Sequence, residues 1–273
     1  SDGAGEVVAA GAGATRFKGG ERVVVPFMPG WLEGQCDDEK ARSALGGGGL
    51  GLLAEQAVLP EQALLPIPAH LGFEEAATLP CAGVTAWHAI VASGGIKPGD
   101  SVLVQGTGGV SLFALQFARL AGAQVIATSS SDQKLARARE LGAAHGINYK
   151  TTPDWDKRAR ELTAGKGVDH IVEVGGAGTL PKSLRAVRLG GTIALIGILS
   201  GVGDVNPLPI LMKNIRVQGI FVGSRSMFAE MNRAIETNQL RPVIDRVFPF
   251  EQAIDAFKHL ESGAHFGKVV VRI

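Results

Sequence analysis

Gly106-Thr107-Gly108-Gly109-Val110-Ser111 is the stretch of this chain with the most chemistry in it. It follows an apolar run, Ser101-Val-Leu-Val-Gln105, and leads straight into Leu112-Phe-Ala-Leu-Gln-Phe-Ala-Arg119. That order predicts a buried strand, a turn too tight for side chains, and a helix whose first amides open onto the turn. A helix start carries unpaired N–H groups and the positive end of the helix dipole, so it attracts phosphate. Between a strand and a helix, such a turn suits the pyrophosphate of a dinucleotide. Of the three glycines in the full G-x-G-x-x-G fingerprint, Gly106 and Gly108 are present and Ser111 takes the third place. Glycine turns also follow strands for plain steric reasons, so the surroundings decide.

Those surroundings repeat one pattern. Lys97-Pro-Gly-Asp100 supplies a turn before the strand, and the helix after the glycines runs to about Leu120. Further strands are predicted at Gln124–Thr128, Gly146–Tyr149, Val168–Val174, Gly191–Gly197 and Asn214–Val222, with helices at Asp132–Leu141, 154–164 and 179–188 between them. Strands alternating with helices imply a parallel sheet covered on both faces, a doubly wound α/β fold. The Val/Ile/Leu character of the strands fits burial from both sides.

The second strand bears on which dinucleotide is bound. Proteins selective for NAD place a carboxylate there, about 20 residues past the first glycine, to hold the ribose 2′-hydroxyl. Here the strand ends in Thr128-Ser129-Ser130-Ser131, which would not repel a 2′-phosphate. Lys134 follows, with Arg137 and Arg139 beyond it, as positive charge for a phosphate dianion. Asp132 is the competing carboxylate, but it stands at an N-cap position. The reading is NADP(H), with Lys134 as an ordinary solvated helix residue the alternative.

Composition removes other classes. The chain has 273 residues, long enough for about two domains. Its 27 basic and 26 acidic residues give no basic field for nucleic acid. No apolar run is long enough to span a bilayer. Cys36 and Cys81 suggest no disulfide framework and fit a reducing, cytoplasmic setting. Residues 1–72 have another grammar, with short apolar runs such as Arg22–Pro26 and Glu55–Pro60 broken by glycine and proline, which reads as small β-strands. Gly34–Gly51 reads as a mobile loop. Val243–Phe248, a helix from Glu251 to Glu261 and Gly267–Ile273 could extend the sheet or return to the first domain.

Several of these segments together resemble the medium-chain dehydrogenase/reductase superfamily. They are Ser1-Asp-Gly-Ala-Gly-Glu-Val-Val, Arg16-Phe-Lys-Gly-Gly-Glu-Arg-Val, Ala77-Thr-Leu-Pro-Cys-Ala-Gly-Val-Thr-Ala-Trp-His, the glycine turn and His265-Phe-Gly-Lys-Val-Val. The likeness runs along the whole chain and is nearest to alcohol dehydrogenase-like and quinone oxidoreductase-like members. It implies a Rossmann domain at 83–222 and a split GroES-like catalytic domain at 1–82 and 223–273, lacking its opening strands, with the active site in the cleft between the two. It implies hydride exchange between NADP(H) and a small carbonyl, alcohol, enone or quinone substrate. A homodimer paired through the edge strand, Ile215–Phe221, is also implied.

The resemblance extends to single residues. Thr107, Gly109 and Val110 join the turn, and Ser129, Ser130, Lys134 and Tyr149 would surround the adenosine 2′-phosphate. Val174, Gly175 and Ile198 would hold the carboxamide, Thr85, Val222 and Ser224 would meet the nicotinamide, and Arg225 and Lys268 would approach the phosphates. Strand-end packing and surface exposure are the plain alternatives for these residues. Zinc-dependent members carry a His-Glu pair where this chain has Ser1-Asp2, and Cys81 alone makes no tetrahedral site. No metal is therefore expected, and His145, His170 and His259 read as surface or helix-end residues. The general acid is not identified. Two rival readings stand: a zinc-dependent alcohol dehydrogenase with ligands in sequence outside this chain, and a noncatalytic NADPH-binding protein.

Overall fold

The computed structural model describes residues 2–47 and 50–273; Ser1, read above as the histidine position, and Gly48 and Gly49 lie outside them. The chain divides into two compact units: residues up to Val84 with Val222–Ile273, and Thr85–Phe221.

In the first unit β1 (Ala4–Glu6), β2 (Arg22–Val24) and β3 (Leu65–Pro66) form a small antiparallel sheet in that order. Val23, Val25, Leu45 and Leu64 cluster as its apolar core. The segment predicted as a loop contains a helix, α1 (Asp38–Arg42), because Asp37 caps it by accepting from Lys40 N at 2.9 Å. Glu55–Pro60 forms no strand. Val58 there is fully exposed, and Leu65–Pro66 pairs with β2 instead. Helix α2 (Phe73–Ala76) leads to a π-helical turn, Leu79–Gly83, that contains Cys81. Helix α3 (Val84–Trp87) starts at the boundary and, with a second π-helical turn, His88–Ala92, opens the second unit.

The second unit alternates β4 (Ser101–Gln105), α4 (Gly109–Leu120), β5 (Gln124–Ser129), α5 (Asp132–Glu140), β6 (His145–Asn148), α6 (Trp155–Leu162), β7 (Val168–Glu173), α7 (Leu180–Ala186), β8 (Val187–Leu195), α8 (Leu208–Met212) and β9 (Arg216–Gly219). The strands are parallel and ordered β6-β5-β4-β7-β8-β9, the doubly wound Rossmann arrangement that the alternation predicts. Strand β4 is central, and its Val102, Leu103 and Val104 have no exposed surface. Helix α4 buries Leu112, Phe113, Leu115 and Phe117, and Phe117 meets Trp87 edge-on at 5.3 Å. Each such side chain contributes about 1.5–3 kcal/mol through burial.

Two boundaries differ from expectation for local reasons. Helix α7 stops at Ala186 because Val187 already pairs with Val168, before a register shift that resets the ladder at His170 and Thr192. Lys213 satisfies the freed helix end, donating to Leu184 O at 2.8 Å and Arg185 O at 3.2 Å. The last strand is shorter than predicted because Asn214 and Val222 sit at φ 49° and 55°, outside any strand conformation.

The tail returns to the first unit. Helix α9 (Arg225–Thr237), β10 (Ile244–Pro249), α10 (Ala253–Glu261) and β11 (Lys268–Arg272) complete it, with β10 and β11 paired in parallel. Ion pairs of Arg241 with Glu75 and Arg272 with Glu74, each 2.7 Å, tie the tail to α2. No helix among the described residues is long and apolar enough to cross a membrane.

His170 corrects the sequence reading most plainly. It is 1 % exposed in β7, between Val102 and Thr192, and neither ring nitrogen has a hydrogen-bond partner among the described residues. Burial first, and the Arg216 charge second, push its pKa down from 6.5 to about 4, so the folded chain holds it neutral. Between those two pH values the unfolded chain binds a proton that the folded chain refuses. Stability is therefore complete above about pH 6.5 and falls as the pH drops towards 4, by about 3 kcal/mol in all. Urea titrations at a series of pH values should show this slope in the native chain and its loss in His170→Leu; an unchanged slope would contradict the assignment.

Candidate functional site

In an open parallel sheet, ligands bind beyond the carboxyl ends of the strands, where the strand order reverses. Here the reversal lies between β4 and β7: the chain runs outward from β4 through β5 to β6, then crosses back to begin again at β7. The glycine turn stands at the carboxyl end of β4. Gly106 has φ +73°, a conformation that L side chains resist, and its amide faces Thr128 Oγ1 at 3.3 Å. Ser111 Oγ donates to Gln105 O at 2.6 Å, so the serine in third place ties the helix to the strand it follows.

Gly108 is different. It is the N-cap of α4, with φ −80° and ψ 179°, an extended backbone open to any residue, and a Cβ added there would meet nothing within 4 Å. Neither strain nor crowding within the protein explains a glycine here. Without a side chain the N-cap leaves the first-turn amides to an outside partner. Open space and the first amides of α4 thus lie together at the carboxyl end of β4.

The ends of β5 and β6 form the flank of this region. Ser129 pairs with Asn148, and Tyr149 N donates to Ser129 O at 3.0 Å, which brings Ser129, Ser130 and Tyr149 together. Tyr149 is 42 % exposed. The N-cap of α5 is Ser131, whose hydroxyl accepts from Lys134 N at 3.3 Å, and not Asp132. The Asp132 carboxylate instead accepts from Asn148 Nδ2 at 3.0 Å.

On the other side of the reversal, Val174–Thr179 and Gly197–Ser200 are laced together. Ser200 donates to Gly175 O through its amide at 2.8 Å and through its hydroxyl at 2.6 Å. Gly176, at φ +84°, would bring a Cβ within 2.9 Å of Ile198 Cα, and a Cβ on Gly197 would collide with Val174 O. These glycines are needed by the protein itself.

The remaining predicted residues belong to the first unit, apart from Thr85, which is buried in α3. There Val222 holds φ 55°, a strained conformation for a β-branched residue. Ser224 caps α9, accepting from Met227 N at 3.2 Å. The Arg225 guanidinium donates to Leu64 O at 3.2 Å, and Lys268 pairs with Asp2 at 3.2 Å. All three side chains thus have structural work within their own unit.

A catalytic zinc needs three protein ligands around one point. Among the described residues no three His, Cys, Asp or Glu side chains converge on one point. Asp2 is taken by Lys268, and Cys81 lies half-buried in its π-helical turn. The donors present do not fit a tetrahedral site.

Residues 1–69 match the alcohol dehydrogenase GroES-like domain, and residues 109–237 match the zinc-binding dehydrogenase family. A zinc-type alcohol dehydrogenase-like protein of Schizosaccharomyces pombe is 48 % identical over 280 residues, covering all of this chain and 81 % of the relative. The crystal structure of an NAD-dependent alcohol dehydrogenase aligns with a TM-score of 0.89 at 39 % identity, over all of this chain and 81 % of the other. The 2-octenoyl-CoA carboxylase reductase CinF, solved with NADP and 2-octenoyl-CoA, aligns with a TM-score of 0.87 at 30 % identity, over 99 % of this chain and 67 % of its own. A parallel sheet that reverses at a glycine turn, joined to a GroES-like unit and shared with relatives of this closeness, leads to one conclusion: the chain belongs to the medium-chain dehydrogenase/reductase superfamily of oxidoreductases.

Proposed function

We propose that this oxidoreductase uses NADP(H) and exchanges hydride with a small carbonyl, alcohol, enone or quinone substrate, without zinc. The observation that carries the cofactor assignment is the start of α4 at the carboxyl end of β4, where Gly108 caps the helix without a side-chain bond and leaves open space before it. The bound nicotinamide supplies or takes the hydride. The protein's own residues bind and orient it. First-turn amides of α4 receive the diphosphate, and the helix dipole favours its charge. Val174, Gly175 and Ile198 border the crevice beyond β7 and β8, where the nicotinamide end belongs.

The preference for NADP(H) is supported by the end of β5. Ser129 and Ser130 offer hydroxyls, the Asp132 carboxylate is turned to Asn148, and Lys134 stands on the first turn of α5. CinF, which was solved with NADP, is in line with this, whereas the NAD-dependent alcohol dehydrogenase marks the alternative. Zinc-free chemistry is supported by the donor set of the described residues, in which no three ligands converge. A homodimer is supported by β9, whose second edge has no neighbour in the sheet among the described residues.

Gly108→Asp tests the cradle. Aspartate is a good N-cap, so the melting temperature should hold or rise, while NADPH affinity falls by at least about a hundredfold through blocked space and repelled charge. Retained binding in fluorescence titration would remove the cofactor assignment. Ser129→Asp should shift the NADPH-to-NADH affinity ratio towards NADH by about tenfold or more; an unchanged ratio would argue for NAD. Elemental analysis of dialysed protein should find well below one zinc per chain, and a stoichiometric metal would reverse the zinc-free reading.

A further inference from the structure

Two polar side chains close the two strands that border the reversal, Gln105 at the end of β4 and Glu173 at the end of β7. Both are buried, Glu173 with no exposed surface at all. Five donors converge on the Glu173 carboxylate: Gln105 Nε2 at 2.6 Å, Gly175 N at 2.9 Å, Gly176 N at 3.1 Å, and the hydroxyls of Thr179 and Ser183. Gln105 completes the arrangement. Its Nε2 also donates to Ser183 Oγ at 2.9 Å, and its Oε1 accepts from Val174 N at 3.2 Å and Gly175 N at 3.3 Å.

The network has a single polarity. Backbone amides of residues 174–176 can only donate, so side-chain oxygens must face them. The Gln105 nitrogen can only donate too, so the oxygen of Glu173 that meets it must accept. Glutamine at 173 would set one amide nitrogen against another. Packing two strand ends does not require a buried carboxylate, since apolar side chains do that with less desolvation cost. What this carboxylate adds is a fixed position for the loop after β7 relative to the strand that carries the glycine turn. Gly106, the first residue of that turn, directly follows Gln105. Val174 O, in the same loop, accepts from Leu199 N at the long distance of 3.5 Å, which leaves it able to accept from a primary amide as well.

We propose that Glu173, acting through Gln105, is a positioning residue for the nicotinamide end of the cofactor, holding the Val174–Gly176 loop at a set distance from the diphosphate cradle. This rests on the nicotinamide reading above. The test measures the affinity of the full chain for NADPH and for 2′-phospho-ADP-ribose, the same nucleotide without its nicotinamide, with NADH and ADP-ribose in parallel.

In Glu173→Gln, NADPH affinity should fall about tenfold while that for 2′-phospho-ADP-ribose changes by less than about threefold. The double variant Gln105→Glu with Glu173→Gln moves the charge across the pair, lets every donor meet an acceptor again, and should bring NADPH affinity back to within about threefold of the native chain. Equal losses on both ligands, no loss on NADPH, or no recovery in the double variant would overturn the proposal. Should Glu173→Gln fail to fold, Ser183→Ala removes one donor from the carboxylate and should show the same contrast at about threefold, with no contrast counting against the proposal. A native chain that binds none of the four nucleotides fails at the cofactor reading itself, an outcome distinct from the others.

Discussion

A parallel sheet that winds in two directions from its centre leaves its middle strands with polar ends that no helix covers. In this chain those ends belong to β4 and β7, and a buried carboxylate meets the problem. Glu173 gathers donors from its own loop, from α7 and from the neighbouring strand, so the buried carboxylate is hydrogen-bonded on both oxygens. The rest of the site depends on it. The glycine turn leaves β4 at the next residue, and the loop opposite takes its shape from the same two side chains.

Glycines around the crevice serve two purposes that must be kept apart. Gly106, Gly176 and Gly197 are demanded by the protein, through a positive φ or through backbone that passes too close for a side chain. Gly108 has ordinary backbone and open space before it, so what it contributes is room at the start of α4. A motif match alone treats all of them alike.

The sheet was legible because its strands are apolar, parallel and separated by helices whose starts and stops are punctuated in the sequence. Ends were less legible. The last strand closes where Asn214 and Val222 adopt left-handed backbone, which no residue type announces when one of the two is valine. The bond between Gln105 and Glu173 spans 68 positions and left only a faint sign, a polar residue after Val102–Val104 in one strand and after Ile171–Val172 in the other. His170 was misread because a histidine in a strand carries no mark of burial. Ser224, Arg225 and Lys268 were read by resemblance as cofactor contacts. Their observed bonds, to Met227, Leu64 and Asp2, lie within one unit and follow from contacts that sequence spacing does not reveal.

The two units differ in how the polypeptide builds them. The unit that carries the glycine turn is one unbroken stretch, Thr85–Phe221, whereas the other joins the early part of the chain to Val222–Ile273. During synthesis from the amino end, the continuous unit can fold as soon as it has left the ribosome. The other unit is complete only once β10, β11 and the arginines that pair with α2 have emerged. The ion pairs of Glu74 and Glu75 therefore form only after the whole of Thr85–Phe221 has been made, which leaves this unit the last to close.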